Sequence, residues 1–263
     1  MKLFKTIQPA LLTSALLVGA LSLGVGYNTS ARAQTTLAPL PASADAASEM
    51  NAFLKADQKQ MPPTGAVLFM GSSSIRLWGT LAQDFPEIPV INRGFGGSQI
   101  FESTLYADRI AIPYKPKIIV LFAGTNDLAY GNKSPQQVLQ EYQDFVTKIH
   151  AALPDTRIVY ISINPTVARW NQEAKVMEAN DLIENWIFEN NSKTEKLNFI
   201  NSHAVLLSAD GRPQPDLLRA DGLHLNTKGY KVWTAIIKPR VLALAAMDGV
   251  VRLDAPPVQP MPQ

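Results

Sequence analysis

Five short apolar runs, spread along the chain and separated by helical patterns, restrict this sequence to few architectures. They are Ala66–Met70, Pro89–Asn92, Lys117–Phe122, Thr156–Ile163 and Leu197–Ile200. A strand with one solvated face alternates apolar and polar residues. These runs do not, and Ile118-Ile-Val-Leu-Phe122 contains no polar side chain at all. Such strands suit burial on both faces. The segments between them carry helical spacing. In Ser134–Leu153 a Ser-Pro start precedes Val138, Tyr142, Phe145, Ile149 and Leu153. Lys175–Asn190 places Val176, Asn180, Ile183 and Ile187 on one stripe, and Asn226 is positioned to cap a last helix holding Tyr230, Trp233, Ile237 and Val241. Alternating strands and helices predict a three-layer α/β/α domain with a five-stranded parallel sheet. In such sheets ligands bind at the carboxyl ends of the strands.

The two ends read differently from this middle. Lys2 and Lys5 precede an uncharged, mostly apolar run from Ala10 to about Val25, and Ala31-Arg32-Ala33 offers a small-x-small cleavage site. This is the pattern of a secretory signal peptide over residues 1–33. The alternative is an uncleaved membrane anchor, because the run approaches the roughly 20 residues a span needs. Residues 34–47, rich in Ala, Pro, Ser and Thr, read as a flexible spacer, and residues 251–263 as a Pro-rich tail. The domain proper is expected over residues 48–250.

Removing Lys2, Lys5 and Arg32 from the 24 basic residues leaves 21 against 22 acidic ones. That balance lacks the basic excess of a nucleic-acid binder. The absence of cysteine excludes disulfides, thiolate metal sites and a cysteine nucleophile. Stability must then come from the core itself.

Four segments carry chemistry. Gly71-Ser72-Ser73-Ser74 follows the first run, where glycine allows a sharp bend and a hydroxyl meets the unpaired N–H groups of a helix start. A phosphate loop would need Gly-x4-Gly-Lys-Ser/Thr spacing, which is absent. The three serines would also serve simply as a helix cap. Asn92-Arg-Gly-Phe-Gly-Gly97 follows the second run, with three glycines that let backbone N–H groups approach a ligand; an ordinary glycine-rich turn would look the same. Gly124-Thr-Asn126-Asp127 follows the third run and leaves the Asn126 amide free to donate, although Asn-Asp is also a common turn pair. Asp127 has no companion acidic cluster, so no metal site is expected. Asp221-Gly-Leu-His224 is the sharpest signal. A carboxylate three residues before a histidine can hold Nδ1–H and turn Nε2 toward a nucleophile, whereas His150 and His203 sit in structural contexts. A surface Asp–His contact is the alternative. If the Gly71 turn and the His224 segment meet, the chemistry is that of a serine hydrolase.

Taken in order, these segments resemble the blocks of the GDSL, or SGNH, family of serine esterases and lipases, over about Val67 to Trp233. The resemblance implies a flavodoxin-like SGNH hydrolase fold. It implies Ser73 as nucleophile, Asp221 and His224 as its partners, and Ser73, Gly97 and Asn126 as the oxyanion hole. The Asp that usually precedes the nucleophile is Ser72 here, which leaves Ser72 and Ser74 as rivals to Ser73. Neither cofactor nor metal is implied. Arg76-Leu-Trp78 and Pro165 to Trp170 look like a branch of exported bacterial members, which points to the periplasm or the exterior.

Acyl transfer to water follows from that resemblance, on a small-molecule, lipid or carbohydrate ester. Arg169 and Trp170, after the fourth run, are the candidate substrate contacts. No long apolar insertion is present, which favours a small acyl group such as acetate on a polysaccharide. Lysophospholipase and thioesterase activities use the same chemistry. An acyltransferase or a silent carbohydrate-binding module would share the fold.

Overall fold

The computed structural model describes residues 44–250. The expected signal segment, residues 34–43 of the spacer and the Pro-rich tail lie outside the described residues.

Five strands, β1 (Val67–Gly71), β2 (Val90–Gly94), β3 (Ile118–Phe122), β4 (Arg157–Ile161) and β5 (Leu197–Ile200), form one sheet in the order β2-β1-β3-β4-β5. All four pairings are parallel. The helices are α1 (Ala44–Lys59), α2 (Ser73–Arg76), α3 (Leu81–Asp84), α4 (Ile100–Ile110), α5 (Thr125–Ala129), α6 (Pro135–Ala152), α7 (Glu173–Thr194) and α8 (Thr227–Met247). The expected five-stranded parallel sheet with helices on both faces is therefore present. The fourth strand, Arg157–Ile161, is shorter than the run Thr156–Ile163, although the Ser162 N–H still donates to the Ile200 carbonyl at 3.0 Å.

Each strand sends successive side chains into opposite cores. Leu68, Met70, Ile119, Leu121, Ile158 and Tyr160 pack with apolar residues of α1, α4, α6 and α7. Val67, Phe69, Val120, Phe122, Val159 and Ile161 pack with α8 and the short α2 and α3. A fully buried large apolar side chain contributes roughly 1.5–3 kcal/mol. Two such cores hold the domain without disulfides.

One boundary differs from the sequence expectation. Helix α1 begins at Ala44, inside the stretch expected as spacer, and Ala46 is fully buried. Alanine suits a linker by its lack of bulk but is also the strongest helix former. Ala46, Met50 and Phe53 follow at helical spacing and all join the core. Arg93 of β2 binds this helix, pairing with Asp57 and lying 4.9 Å from the Phe53 ring centroid.

The strand order reverses between β1 and β3. The segments leaving these two strands therefore diverge to opposite sides of the sheet and open a crevice at their carboxyl ends.

Candidate active site

Ser73 is the first residue of α2, two residues beyond the end of β1. The bend there depends on Gly71, which has φ +123°. A Cβ at this position would lie 2.1 Å from the Phe122 carbonyl oxygen. That close approach lets Ser72 N–H donate to the same oxygen at 2.9 Å, while Phe95 N–H donates to the Gly71 carbonyl at 2.9 Å. The ends of β1, β2 and β3 are thus tied together beneath the serine.

His224 and Asp221 arrive on one short loop. The loop is closed by an antiparallel bridge between Leu218 and Leu225 and by Arg219 N–H donating to the His224 carbonyl at 2.7 Å. Asn226, just after it, caps α8 by accepting from the N–H groups of Lys228 and Gly229. Asp221 Oδ1 accepts the N–H groups of Leu223 and His224, at 2.9 and 3.0 Å. Its Oδ2 lies 2.7 Å from His224 Nδ1. Burial acts to raise the Asp221 carboxyl. The hydrogen bonds from the His224 ring and from the two backbone N–H groups outweigh it and hold the pKa at about 2. Asp221 is therefore an acceptor only, so Nδ1 carries the proton and neutral His224 presents a bare Nε2. That Nε2 lies 2.8 Å from Ser73 Oγ. Within the serine triplet, Ser72 is almost fully buried, and Ser74 uses its carbonyl to accept Tyr230 Oη–H at 2.8 Å.

Asn126 is the second residue of α5, beyond the end of β3, and is 5% exposed. Its Nδ2 donates to the Ser98 carbonyl at 2.9 Å and its Oδ1 accepts from Arg169 Nη1 at 3.0 Å. The amide is clamped in one orientation, with one Nδ2–H left over. Gly97, preceding Ser98, has φ +68° and is exposed. Among the described residues, neither the Ser73 N–H nor the Gly97 N–H has an acceptor.

A cleft between these segments is lined by Ser73, Asn126, Asn164, Thr166, Arg169 and His224, among others. Gly97 and Trp170 are not among its lining residues. Trp170 instead begins a 3-10 turn, Trp170–Gln172, leading into α7. Asn164, which the motifs did not single out, enters from the end of β4. Its position one step past an apolar strand was the available signal. Thr166 was missed likewise.

Asp127 does not face the cleft. It is fully buried, and its Oδ1 accepts the Ile100 N–H at the start of α4 and pairs with Lys133 at 3.3 Å. Lys133 also pairs with Glu141 at 2.6 Å. Burial pushes the Glu141 carboxyl up to about 7, against the opposing hydrogen bond from Lys133. Among the described residues no group of three or more potential ligands is placed to hold a metal, and no helix is long and apolar enough to cross a membrane.

Comparison with known proteins connects this geometry to a family. The sequence profile of the GDSL-like Lipase/Acylhydrolase family matches residues 65–232. An isoamyl acetate-hydrolyzing esterase of Schizosaccharomyces pombe is 24% identical over 140 residues, which are 48% of this chain and 54% of that protein. The match thus spans about half of the relative's own length. A GDSL-like lipase of Bacteroides thetaiotaomicron is similar in structure, with TM-score 0.60 and 22% identity over 74% of this chain and 97% of that one. A carbohydrate esterase family 3 protein of Talaromyces cellulolyticus has TM-score 0.56 and 19% identity over 69% and 98% of the two chains. These two structural likenesses concern the fold. The family match covers well over half of the sequence and every segment that builds the cleft, and the chain belongs to the GDSL-like lipase/acylhydrolase family.

Proposed function

We propose that the protein is a carboxylic ester hydrolase with Ser73 as nucleophile, His224 as general base and Asp221 as the carboxylate that orients it. The observation that carries this is the unbroken hydrogen-bonded series from Ser73 Oγ through the His224 ring to Asp221. His224 Nε2 takes the hydroxyl proton as Ser73 Oγ attacks the ester carbonyl. The tetrahedral oxyanion is held by the N–H groups of Ser73 and Gly97 and by the free Nδ2–H of Asn126. His224 then gives its proton to the departing alcohol, leaving an acyl-Ser73. Water, deprotonated by the same imidazole, attacks the acyl carbon and releases the carboxylic acid.

The acyl group is acetyl or of similar size. The cleft beside Ser73 is lined mostly by hydroxyl and amide side chains, which suit a short acyl group better than an alkyl chain. The yeast relative is named for hydrolysing an acetate ester. The domain, residues 48–250 together with the start of α1, acts after export, with residues 1–33 removed as a signal peptide. N-terminal sequencing of the mature protein checks this, and an intact Met1 would sink it.

The catalytic assignment is tested with 4-nitrophenyl esters of graded acyl length and with a fluorophosphonate label. Ser73→Ala and His224→Ala should each lose about 10⁴-fold or more in kcat. Asn126→Ala should lose about 10²–10³-fold. Ser72→Ala and Ser74→Ala should keep both the label and turnover. Full turnover by Ser73→Ala would overturn the nucleophile, and a preference for long chains would overturn the acyl assignment.

A further inference from the structure

We propose that the alcohol portion of the substrate carries a carboxylate, bound by Arg169 next to the Ser73–His224 pair. The inference rests on the ester hydrolase assignment above and names its substrate class.

Arg169 lines the cleft and is held on two sides. Nη1 donates to Asn126 Oδ1 at 3.0 Å, and Cζ lies 4.6 Å from the ring centroid of Tyr130. Both contacts fix the guanidinium without neutralising it. Among the described residues no Asp or Glu lies within 4.0 Å ion-pair distance of Arg169. Arg76, Arg93 and Arg157 each pair with a carboxylate, and of the described arginines that do not, Arg169 alone lines the cleft beside Ser73.

The rest of the cleft has the same character. None of its lining residues is acidic, and most offer hydroxyls or amides. Asn164 Oδ1 accepts from Ser202 Oγ–H at 3.0 Å and Trp233 Nε1–H at 3.3 Å, which leaves its Nδ2 as the end available to the cleft. A guanidinium has five N–H donors in a planar fork, and one of them is spent on Asn126. The others match a planar carboxylate, and a cation without an internal partner is left for an anion from outside. With the acyl group read as acetyl or of similar size, the carboxylate belongs to the alcohol.

The test compares 4-acetoxybenzoate with 4-acetoxybenzamide, two acetate esters that differ in the charge on the alcohol. A second pair, mono-4-nitrophenyl succinate and 4-nitrophenyl acetate, moves the charge to the acyl side. Wild type should favour acetoxybenzoate by about tenfold or more in kcat/KM. That ratio should fall toward one in Arg169→Met and be partly kept in Arg169→Lys, whatever the absolute rates. The succinate should gain nothing. Equal rates on the benzoate and benzamide in wild type would overturn the proposal, as would a preference for succinate. An unchanged ratio in Arg169→Met, with both esters slowed alike, would show that Arg169 acts only through Asn126.

Calorimetric binding of 4-hydroxybenzoate and 4-hydroxybenzamide to Ser73→Ala reads charge recognition without turnover. Binding that favours the carboxylate, with wild type itself neither hydrolysing the esters nor taking the label, would uphold the anion site and remove the esterase assignment alone. Equal binding would remove the anion site alone.

Discussion

Glu49 accepts the backbone N–H of Gly96 at 2.6 Å, one residue before Gly97. Its other oxygen takes Arg76 Nη1 at 2.8 Å, at the end of the helix that Ser73 begins. A single carboxylate on α1 thus braces the helix that Ser73 begins and the Gly97 turn against each other. Glu49→Ala should lower kcat about tenfold through the displaced Gly97 N–H and lower Tm by only a few degrees. Steady-state kinetics beside a thermal melt measure both. Unchanged kcat would show that the turn holds its shape unaided.

Gly71→Ala should be far more damaging to the fold than its size suggests. The added methyl would meet a backbone oxygen at 2.1 Å, at a φ of +123°. A loss of about 3 kcal/mol, or roughly 10 °C in Tm, is expected. Gly79→Ala, with no atom within 4 Å of the new Cβ, is the matched control and should move Tm by no more than about 2 °C.

The acid limb of kcat/KM should reflect one proton. Asp221 is held at about 2, below its ordinary value of 3.8. A depressed carboxylate contributes its stabilising interactions above 3.8 and loses them as pH falls through about 2. Asp221 stays ionised well below pH 4, so log kcat/KM against pH should have a slope no steeper than one above about pH 4. A slope of two there would mean that the carboxylate titrates as well.

Glu141 runs the other way. Its carboxyl is raised from 4.5 to about 7, so the folded state holds a proton that the unfolded chain gives up earlier. That contribution is full below 4.5 and is lost as pH rises through about 7. Across this window the Tm of wild type should fall relative to that of Glu141→Gln, which has no carboxyl to ionise. Parallel Tm–pH curves for the two proteins would contradict the shift.

How much of this was readable from sequence depends on how local each feature is. Val67 to Gly71 and Ile118 to Phe122 could be read as buried strands because both faces of each are apolar. The turns after them stood out because Gly71, Gly97 and Asn126 punctuate those runs. Asp221 and His224 are three residues apart, so their contact is nearly a local property. Glu49 gave no such sign. It lies in α1 just past the stretch read as a spacer, and its partners are 27 and 47 residues away. Asn164 was hidden because its orientation is imposed by Trp233 and Ser202, which the chain brings in from other layers. Trp170 attracted attention by its size, yet the start of α7 takes it away from the cleft lining.

The loop closed between Leu218 and Leu225 has a consequence for a chain that emerges residue by residue. The fifth strand ends at Ile200, and His224 and Asp221 come after it. A nascent chain can therefore complete its five strands, with Ser73 already in its turn, before the segment that carries His224 exists. Then His224 and Asp221 arrive together, followed by α8, which starts directly after Asn226. Hydrolytic competence would be the last property such a chain acquires, because a chain released before residue 224 would lack both the proposed base and the α8 helix that covers one face of the sheet.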